Sequence, residues 1–354
     1  MERARLLLKP KEDLRLRAGH PWVYDNEIAR VEGAPGPGDE VEVLDARRQP
    51  VGVAFFNPAS KIRARIYSRA PRSADRAFFV EALERALAWR RRFFDPERQS
   101  VRLVFGEADG LPGLVVDSFV GSAEGGAAAT GGGAAFGQAT ALPGFEGEAV
   151  RKEGSCEGRW LSAQFLCLGV DSRKADILAA LAEVFPSDGI VERSDAPVRA
   201  FEGLPPAVGT LAGEVPPAIW IEENGLRFAV DLAGGQKTGW FLDQRANRAA
   251  AARFARDRRV LDAFCNAGGF GLACAAAGAA AVLAVDSSAD AIRAVSANAA
   301  RNGLAGLVRV EEGNAFDVLR RLERERERFG LVVLDPPAFA KNRASVDGAR
   351  RGYK

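Results

Sequence analysis

The last third of the sequence alternates short apolar runs with helix-length stretches, and this rhythm limits the possible folds more than any other feature. Val260-Leu261-Asp262-Ala263-Phe264, Ala281-Val282-Leu283-Ala284-Val285-Asp286, the run from Leu307 to Val310, and Leu331-Val332-Val333-Leu334-Asp335 read as four strands. Helices fit between them: one over Gly271 to Gly278, one opened by Ser288 as N-cap and ending near Asn302-Gly303, and a charged one ending near Arg324-Glu325-Arg326-Glu327-Arg328. The alternation predicts a parallel, doubly wound α/β sheet.

Open parallel sheets bind ligands at the carboxyl ends of their strands, beside the topological switch point. The first strand carries Asp262 and runs into Asn266-Ala267-Gly268-Gly269-Phe270-Gly271, where glycines let the backbone approach a ligand. The second ends in Asp286, placed to accept hydrogen bonds from ribose hydroxyls. Either motif alone also fits a tight turn with a helix cap; together they favour an adenosine-containing ligand. A dinucleotide needs a G-x-G-x-x-G cradle, which this loop does not match, and Asp262 would repel a pyrophosphate. A carboxylate suits a cation. S-adenosylmethionine carries a sulfonium and an ammonium, so the loop favours it over NAD.

Asp335-Pro336-Pro337-Ala338-Phe339 closes the fourth strand. Two prolines stiffen the exit and leave carbonyls free to accept hydrogen bonds. The aromatic beyond them can stack on a planar ring, although a turn with a core phenylalanine is the plainer alternative. In a cofactor-binding sheet, Asp335, Pro336, Pro337 and Phe339 read as a wall facing a target base.

The upstream two thirds are organised differently. Residues 1–70 are strand-rich, with Glu40 to Asp45, Val51 to Phe56 and Ile62 to Tyr67 as strands. In the last of these, Arg63 and Arg65 share the face opposite Ile62 and Ile66. A central α+β region over 71–215 has a helix from Ser73 to about Phe94 and paired strands at Val101 to Phe105 and Gly113 to Asp117. A strand at Trp160 to Leu166, a helix over 172–185 and a strand at Gly189 to Arg193 follow. The segment 121–158 is mostly Gly, Ala, Ser and Glu and reads as a disordered surface insertion with no function. The sheet region then occupies 216–354.

Net charge is only +2, but basic residues cluster at Lys61, Arg63, Arg65, Arg69, Arg72 and Arg76, and at Arg3, Arg5, Lys9, Lys11, Arg15 and Arg17. Such clusters can neutralise phosphates, and Lys61, Arg63 and Arg65 are the RNA-contact candidates. From charge alone, a solvated face of an arginine-rich protein is the plainer account of them. The single histidine, His20, excludes a His-rich metal site and a Ser-His-Asp triad elsewhere; its Gly19/Pro21-Trp22 setting is that of a turn residue. No metal is expected. Four cysteines without CxxC spacing make no disulfide framework. No apolar run of about 20 residues spans a membrane, and the opening segment lacks a signal peptide's apolar run, so a cytoplasmic location is expected.

From Asp335-Pro336-Pro337-Ala338-Phe339 through Arg351-Gly352-Tyr353-Lys354 the chain resembles bacterial 23S rRNA (cytosine-C5)-methyltransferases that join a PUA domain to a methyltransferase domain. Supporting segments are Gly19 to Tyr24, Asn57 to Arg65 and Gly106 to Leu114; Glu192-Arg193-Ser194-Asp195 and Gly234 to Arg245 are the most specific. The resemblance covers nearly the whole chain outside 121–158. It implies an RNA-binding PUA domain at 1–70, a mixed central domain, and a Rossmann-like catalytic domain that uses S-adenosylmethionine on 23S rRNA. Cofactor contacts are implied for the Asp262–Phe270 loop (Asp262, Phe264, Asn266, Gly268, Phe270), for Asp286 with Ser287, for Asn314 and Ala315 in the Gly313–Phe316 turn, and for Asp335. Such enzymes commonly carry an acid at position 314; Asn314 can still accept from the adenine amino group. Lys237, Phe241 and Gln244 are implied to line the cofactor or target pocket. Homodimerisation is left open.

Methylation at C5 of a pyrimidine needs a thiolate that adds to C6. Cys156 falls in the insertion, Cys167 on an apolar strand, Cys265 in the cofactor loop and Cys274 inside a helix, and none is suitably placed. In the family the nucleophile follows a fifth strand, so the expectation is that it lies beyond Lys354, that residues 1–354 alone bind the cofactor without methylating C5, and that the fourth strand is left as an apolar edge. Two rivals stand: N-methylation, for example at guanine N2, which needs no cysteine, and a non-catalytic RNA-binding protein.

Overall fold

The computed structural model describes residues 3–123, 157–232, 234 and 239–337. Lys237, Phe339, Cys156 and the core of the expected insertion lie outside the described residues. Two compact units divide the chain: one runs to Ile219 and takes in Val230–Leu242, the other holds Trp220–Ala229 and the chain from Asp243 onward.

The first unit opens on a six-stranded sheet: β1 (Ala4–Leu8), β2 (Trp22–Tyr24), β3 (Ile28–Glu32), β4 (Glu40–Leu44), β5 (Pro50–Phe56) and β6 (Ile62–Ser68), with α1 (Asp13–Arg17) after β1. Its order is β2-β6-β5-β4-β1-β3. Only the β1–β4 pair is parallel. Leu6, Leu8, Leu16, Val41 and Val43 fill its core.

The expected basic and apolar faces of β6 need correction. Ala64 and Ile66 do join the sheet's own core, but Tyr67 packs with Phe55 and Val53 into a second core, and Arg65 is buried beside it. Both faces of β5 and β6 are covered, so strict polar alternation is not required of them.

That second core belongs to the central region. Asp75 caps α2 (Arg76–Arg90), its carboxylate accepting the Phe78 N–H at 2.9 Å. Phe79, Leu83 and Leu87 form the buried stripe at helical spacing. The helix stops at Arg90, short of the expected Phe94. β7 (Val101–Phe105) and β8 (Leu114–Ser122) pair antiparallel, and β9 (Glu157–Phe165) pairs antiparallel with β8. Gly121 faces Gly158 and Ser122 faces Glu157, so the strands reach into the segment expected to be insertion. The single expected helix over 172–185 is two, α3 (Leu168–Asp171) and α4 (Lys174–Val184). β10 (Gly189–Ser194) runs parallel to β9, and β11 (Ala207–Gly213) antiparallel to β10.

In the second unit, β12 (Ile219–Glu223) and β13 (Leu226–Val230) precede α5 (Arg245–Ala252). Then β14 (Arg259–Ala263), α6 (Gly269–Ala276), β15 (Ala281–Asp286), α7 (Ala289–Arg301), β16 (Val308–Glu312), α8 (Ala315–Arg324) and β17 (Leu331–Leu334) alternate. All neighbours are parallel in the order β16-β15-β14-β17, so the switch point lies between β14 and β17. Ser288 caps α7 by accepting the Ala291 N–H. β17 is an edge of the described sheet, with Val332 and Leu334 exposed.

Candidate functional site

The carboxyl ends of β14, β15 and β17 bring three acids into electrostatic contact. Asp262 on β14 is 1% exposed, and its Oδ2 accepts the Gly271 N–H at 2.7 Å. Its pKa is raised to about 7, mainly by burial and against the pull of that hydrogen bond; Asp335 contributes to the rise, Arg248 opposes it, and Asp286 adds a smaller upward push. Asp262 is thus covered by the turn it supports, rather than standing open at the strand end.

The turn itself is unusual backbone. Phe264 (φ 62°), Asn266 (φ 48°) and Gly268 (φ 82°) alternate in the left-handed region, two of them with side chains that disfavour it. Such strain persists only where surrounding contacts fix it. Asp286 supplies one, its Oδ2 accepting the Asn266 N–H at 2.9 Å. Another is Asn298 on α7, fully buried, which donates to the Ala267 carbonyl at 3.0 Å and accepts the Ala229 N–H at 2.9 Å. A Cβ on Gly271 would stand 2.9 Å from Asp262 Oδ2, so only glycine lets α6 sit on that carboxylate.

Asp286 is half-buried at the tip of β15, and its Oδ1 accepts the Ser288 N–H at 3.0 Å. Each carboxylate oxygen keeps a further lone pair for a ligand hydroxyl. Ser287 beside it is exposed. Asn314 caps α8, its Oδ1 accepting the Phe316 N–H at 2.9 Å, so the oxygen expected to receive an adenine amino group already has one partner. Ala315 is buried. Phe316 meets Phe264 edge to face, with ring centroids 5.8 Å apart, which links the ends of β14 and β16 through an aromatic pair.

Across the switch point, Asp335 is exposed, Pro336 half-buried and Pro337 exposed. Gln244 donates to Asp335 Oδ2 at 3.4 Å, and Asn247 donates to Gln244 Oε1 at 2.6 Å, which orients the Gln244 amide. Phe270 is half-buried at the start of α6. Asn247, Arg248 and Asn298 are site neighbours that the sequence does not single out. An asparagine or arginine inside a helical pattern carries no mark of what its side chain meets; only Asn247 and Arg248, close behind Gln244, had a positional hint.

The described cysteines hold no ready thiolate. Cys167 is buried just after β9, at the start of α3 rather than on the strand, and donates to the Pro112 carbonyl; burial pushes its pKa to about 11. Burial likewise raises Cys274 to about 11 and Cys265 further still, the latter helped by Asp262 and Asp286.

On the first unit, the basic cluster is largely engaged. Arg65 donates to Glu202 at 2.9 Å and Glu107 at 3.1 Å, and at 7% exposure it is not a phosphate contact. Arg72 pairs with Glu81, Arg76 with Glu183, Arg3 with Glu40, Arg15 with Glu27, and Arg17 with Asp13 and Asp45. Lys61 is exposed, and Arg63 reaches the Pro58 carbonyl while staying half-exposed. His20 accepts the Trp22 N–H as a turn residue. No helix among the described residues is long and apolar enough to cross a membrane.

Carboxylates at three strand ends beside a glycine-bearing turn fit a cationic adenosine ligand and oppose a pyrophosphate. Comparison with known proteins agrees. Residues 6–69 match the PUA-like domain family, and residues 203–351 match the S-adenosylmethionine-dependent methyltransferase family. A SAM-dependent methyltransferase from Streptococcus mutans superposes with a TM-score of 0.73 at 19% identity over 98% of this chain and 82% of that one. A methyltransferase solved in complex with SAH gives a TM-score of 0.74 at 20% identity, over 96% of this chain and 77% of that one. The protein named ribosomal RNA large subunit methyltransferase I from Cronobacter sakazakii is 34% identical over 99% of this chain and 80% of its own length. Its counterpart from Tolumonas auensis is 36% identical over 98% of this chain and 79% of its own length. With an N-terminal PUA-like domain, a Rossmann-like sheet and this similarity along nearly its full length, the chain is an S-adenosylmethionine-dependent methyltransferase of the ribosomal RNA large subunit methyltransferase I family.

Proposed function

We propose that this chain transfers a methyl group to a base of large-subunit ribosomal RNA, with C5 of a cytosine in 23S rRNA as the target that the family resemblance points to. The observation that carries the reading is the placement of Asp262, Asp286 and Asp335 at the carboxyl ends of three parallel strands, beside a turn held in left-handed backbone. When bound there, S-adenosylmethionine supplies an electrophilic methyl group on a sulfonium, transferable by in-line displacement.

The chain's own residues divide the remaining work. Asp262 offers negative charge to the cationic end of the donor, and Asp286 offers acceptor oxygens to ribose hydroxyls. Phe264, Asn266, Gly268, Phe270, Ser287, Asn314 and Ala315 complete the cofactor side, with Gln244 beside Asp335. Asp335, Pro336 and Pro337 face the base, with Phe339 as the stacking residue, and Lys61 and Arg63 on the PUA-like domain contact RNA phosphates.

Addition to C6 needs a thiolate, and the buried, high-pKa thiols of Cys167, Cys265 and Cys274 do not provide it. Serine at these three positions should leave transfer within about twofold of wild type, the cost being confined to packing. That same observation favours the second reading, methylation of an exocyclic amino group. Incubation with 23S rRNA and labelled S-adenosylmethionine, followed by nucleoside mass spectrometry, separates them. 5-Methylcytidine supports C5 chemistry and N2-methylguanosine the alternative. Cofactor binding without any product leaves a binding protein, and failure to bind the cofactor removes the site assignment.

A further inference from the structure

Arg248 on α5 is a buried cation with its partner buried too: its Nη1 donates to Glu223 Oε1 at 2.7 Å, and Glu223 at the end of β12 is 3% exposed. Arg245 Nε lies 3.8 Å from the other Glu223 oxygen. A buried ion pair is a poor source of stability, because desolvation offsets most of its attraction. Its placement is also unfavourable for the helix it abuts. The guanidinium lies against the first turn of α6, where the helix dipole is positive.

The contacts on the turn explain the position. A Cβ on Gly269 would come within 2.5 Å of Arg248 Nε, so the guanidinium fills the space directly behind the turn. Its Cζ stands 5.9 Å from the Phe270 ring centroid. Arg248 therefore meets the first two residues of α6, directly after the strained Asn266–Gly268 backbone. Its charge opposes the repulsion among the carboxylates on the ligand side.

We propose that Arg248, held by Glu223, is a positioning residue for the methyl-donor site: it fixes the Gly268–Phe270 turn from behind in the conformation that receives the donor. The inference rests on the assignment of that turn to S-adenosylmethionine. Glu223 anchors the guanidinium so that its planar face, rather than its charge alone, supports the turn. Lysine would keep the charge and lose that surface.

Calorimetry of the full chain with S-adenosylhomocysteine and S-adenosylmethionine, run beside thermal melts, tests it. Arg248→Met should weaken binding of both ligands at least tenfold and lower the melting temperature, and Arg248→Lys should recover only part of the affinity. Because Arg245 shares Glu223, the decisive protein is the triple variant Glu223→Leu, Arg245→Met, Arg248→Met, compared with the double variant Glu223→Leu, Arg245→Met. Replacing a whole buried ionic set by apolar side chains restores stability, so the melting temperature of the triple variant should recover while affinity stays at least tenfold low. Recovery of affinity together with stability would overturn the proposal and reduce Arg248 to a structural ion pair, as would wild-type affinity in Arg248→Met. If Arg248→Met fails to fold, the triple variant decides alone. Absence of binding by the wild-type chain would instead strike the cofactor assignment itself.

Discussion

Asp262 shows how one side chain couples folding, pH and ligand. Its carboxyl is raised to about 7, first by burial and then by repulsion from Asp335 and, less, Asp286, with Arg248 and the Gly271 N–H pulling the other way; Cys265 and Cys274 feel its charge. Between about pH 4 and pH 7 the unfolded chain has lost this proton and the folded chain keeps it, so rising pH removes stability across that window and the loss levels off above it. A cationic ligand favours the ionised form. S-adenosylmethionine should therefore bind more tightly as pH rises from 5.5 to 7.5 and release a proton on binding near pH 6.5. Calorimetry in two buffers of different ionisation enthalpy reads the proton directly. Asp262→Asn should bind at least tenfold more weakly and show neither effect; a wild-type affinity flat across this range would contradict the account. The sequence placed Asp262 at a strand end correctly but not its depth, which depends on α6 settling onto it through Gly271. Arg65 illustrates the same limit from the other side. Its strand position was readable, whereas its partner Glu202 lies far along the chain and no local pattern announces it.

Among elements, the strand–helix alternation of the second unit was legible because each segment repeats with its own period and each helix carries its own stop or start signal, such as Ser288. Elements that serve two cores were not. β5 and β6 contribute Ala54 and Ile66 to one core and Phe55 and Tyr67 to another, which erases the alternation a single-faced strand would show. The turn from Phe264 to Gly268 lies between these cases: its glycine was visible, but its left-handed Phe264 and Asn266 were not, since those residue types do not demand that backbone. Asparagine tolerates it better than most, so Asn266→Gly should keep folding stability close to that of the wild type. Asn266→Val should cost about 1–2 kcal/mol in urea denaturation, because a β-branched side chain is strained at positive φ, and should weaken S-adenosylhomocysteine binding alongside. Equal behaviour of the two variants would mean that the turn is not strained in the folded protein.

Over the whole molecule, the division of the chain does not follow the boundary between its PUA-like domain and its central region. These two share one compact unit, and Glu202 shows how. Its Oε1 accepts from Ser60 Oγ and Arg65 Nη2, both at 2.9 Å, its Oε2 accepts from Asn57 Nδ2 at 3.0 Å, and Glu107, which also takes Arg65, receives the Trp22 indole N–H at 2.7 Å. Four side chains from the first sheet and the loop beside it thus converge with two acids of the central region, over a core that both supply. The RNA-contacting surface proposed at Lys61 and Arg63 is then carried on the same compact unit as the central region rather than on a separate one. Glu202→Ala leaves Arg65 buried with less than its full complement of negative charge, a change that costs about 3–5 kcal/mol where the remaining charge is uncompensated. The expected outcome is a loss shared by both layers: native-state hydrogen exchange followed by mass spectrometry should show amides of β4 and β9 losing protection by the same free energy. If the layers are independent, β9 will lose protection while β4 keeps it, because β4 pairs only with β1 and β5 and touches none of the Glu202 partners through its backbone.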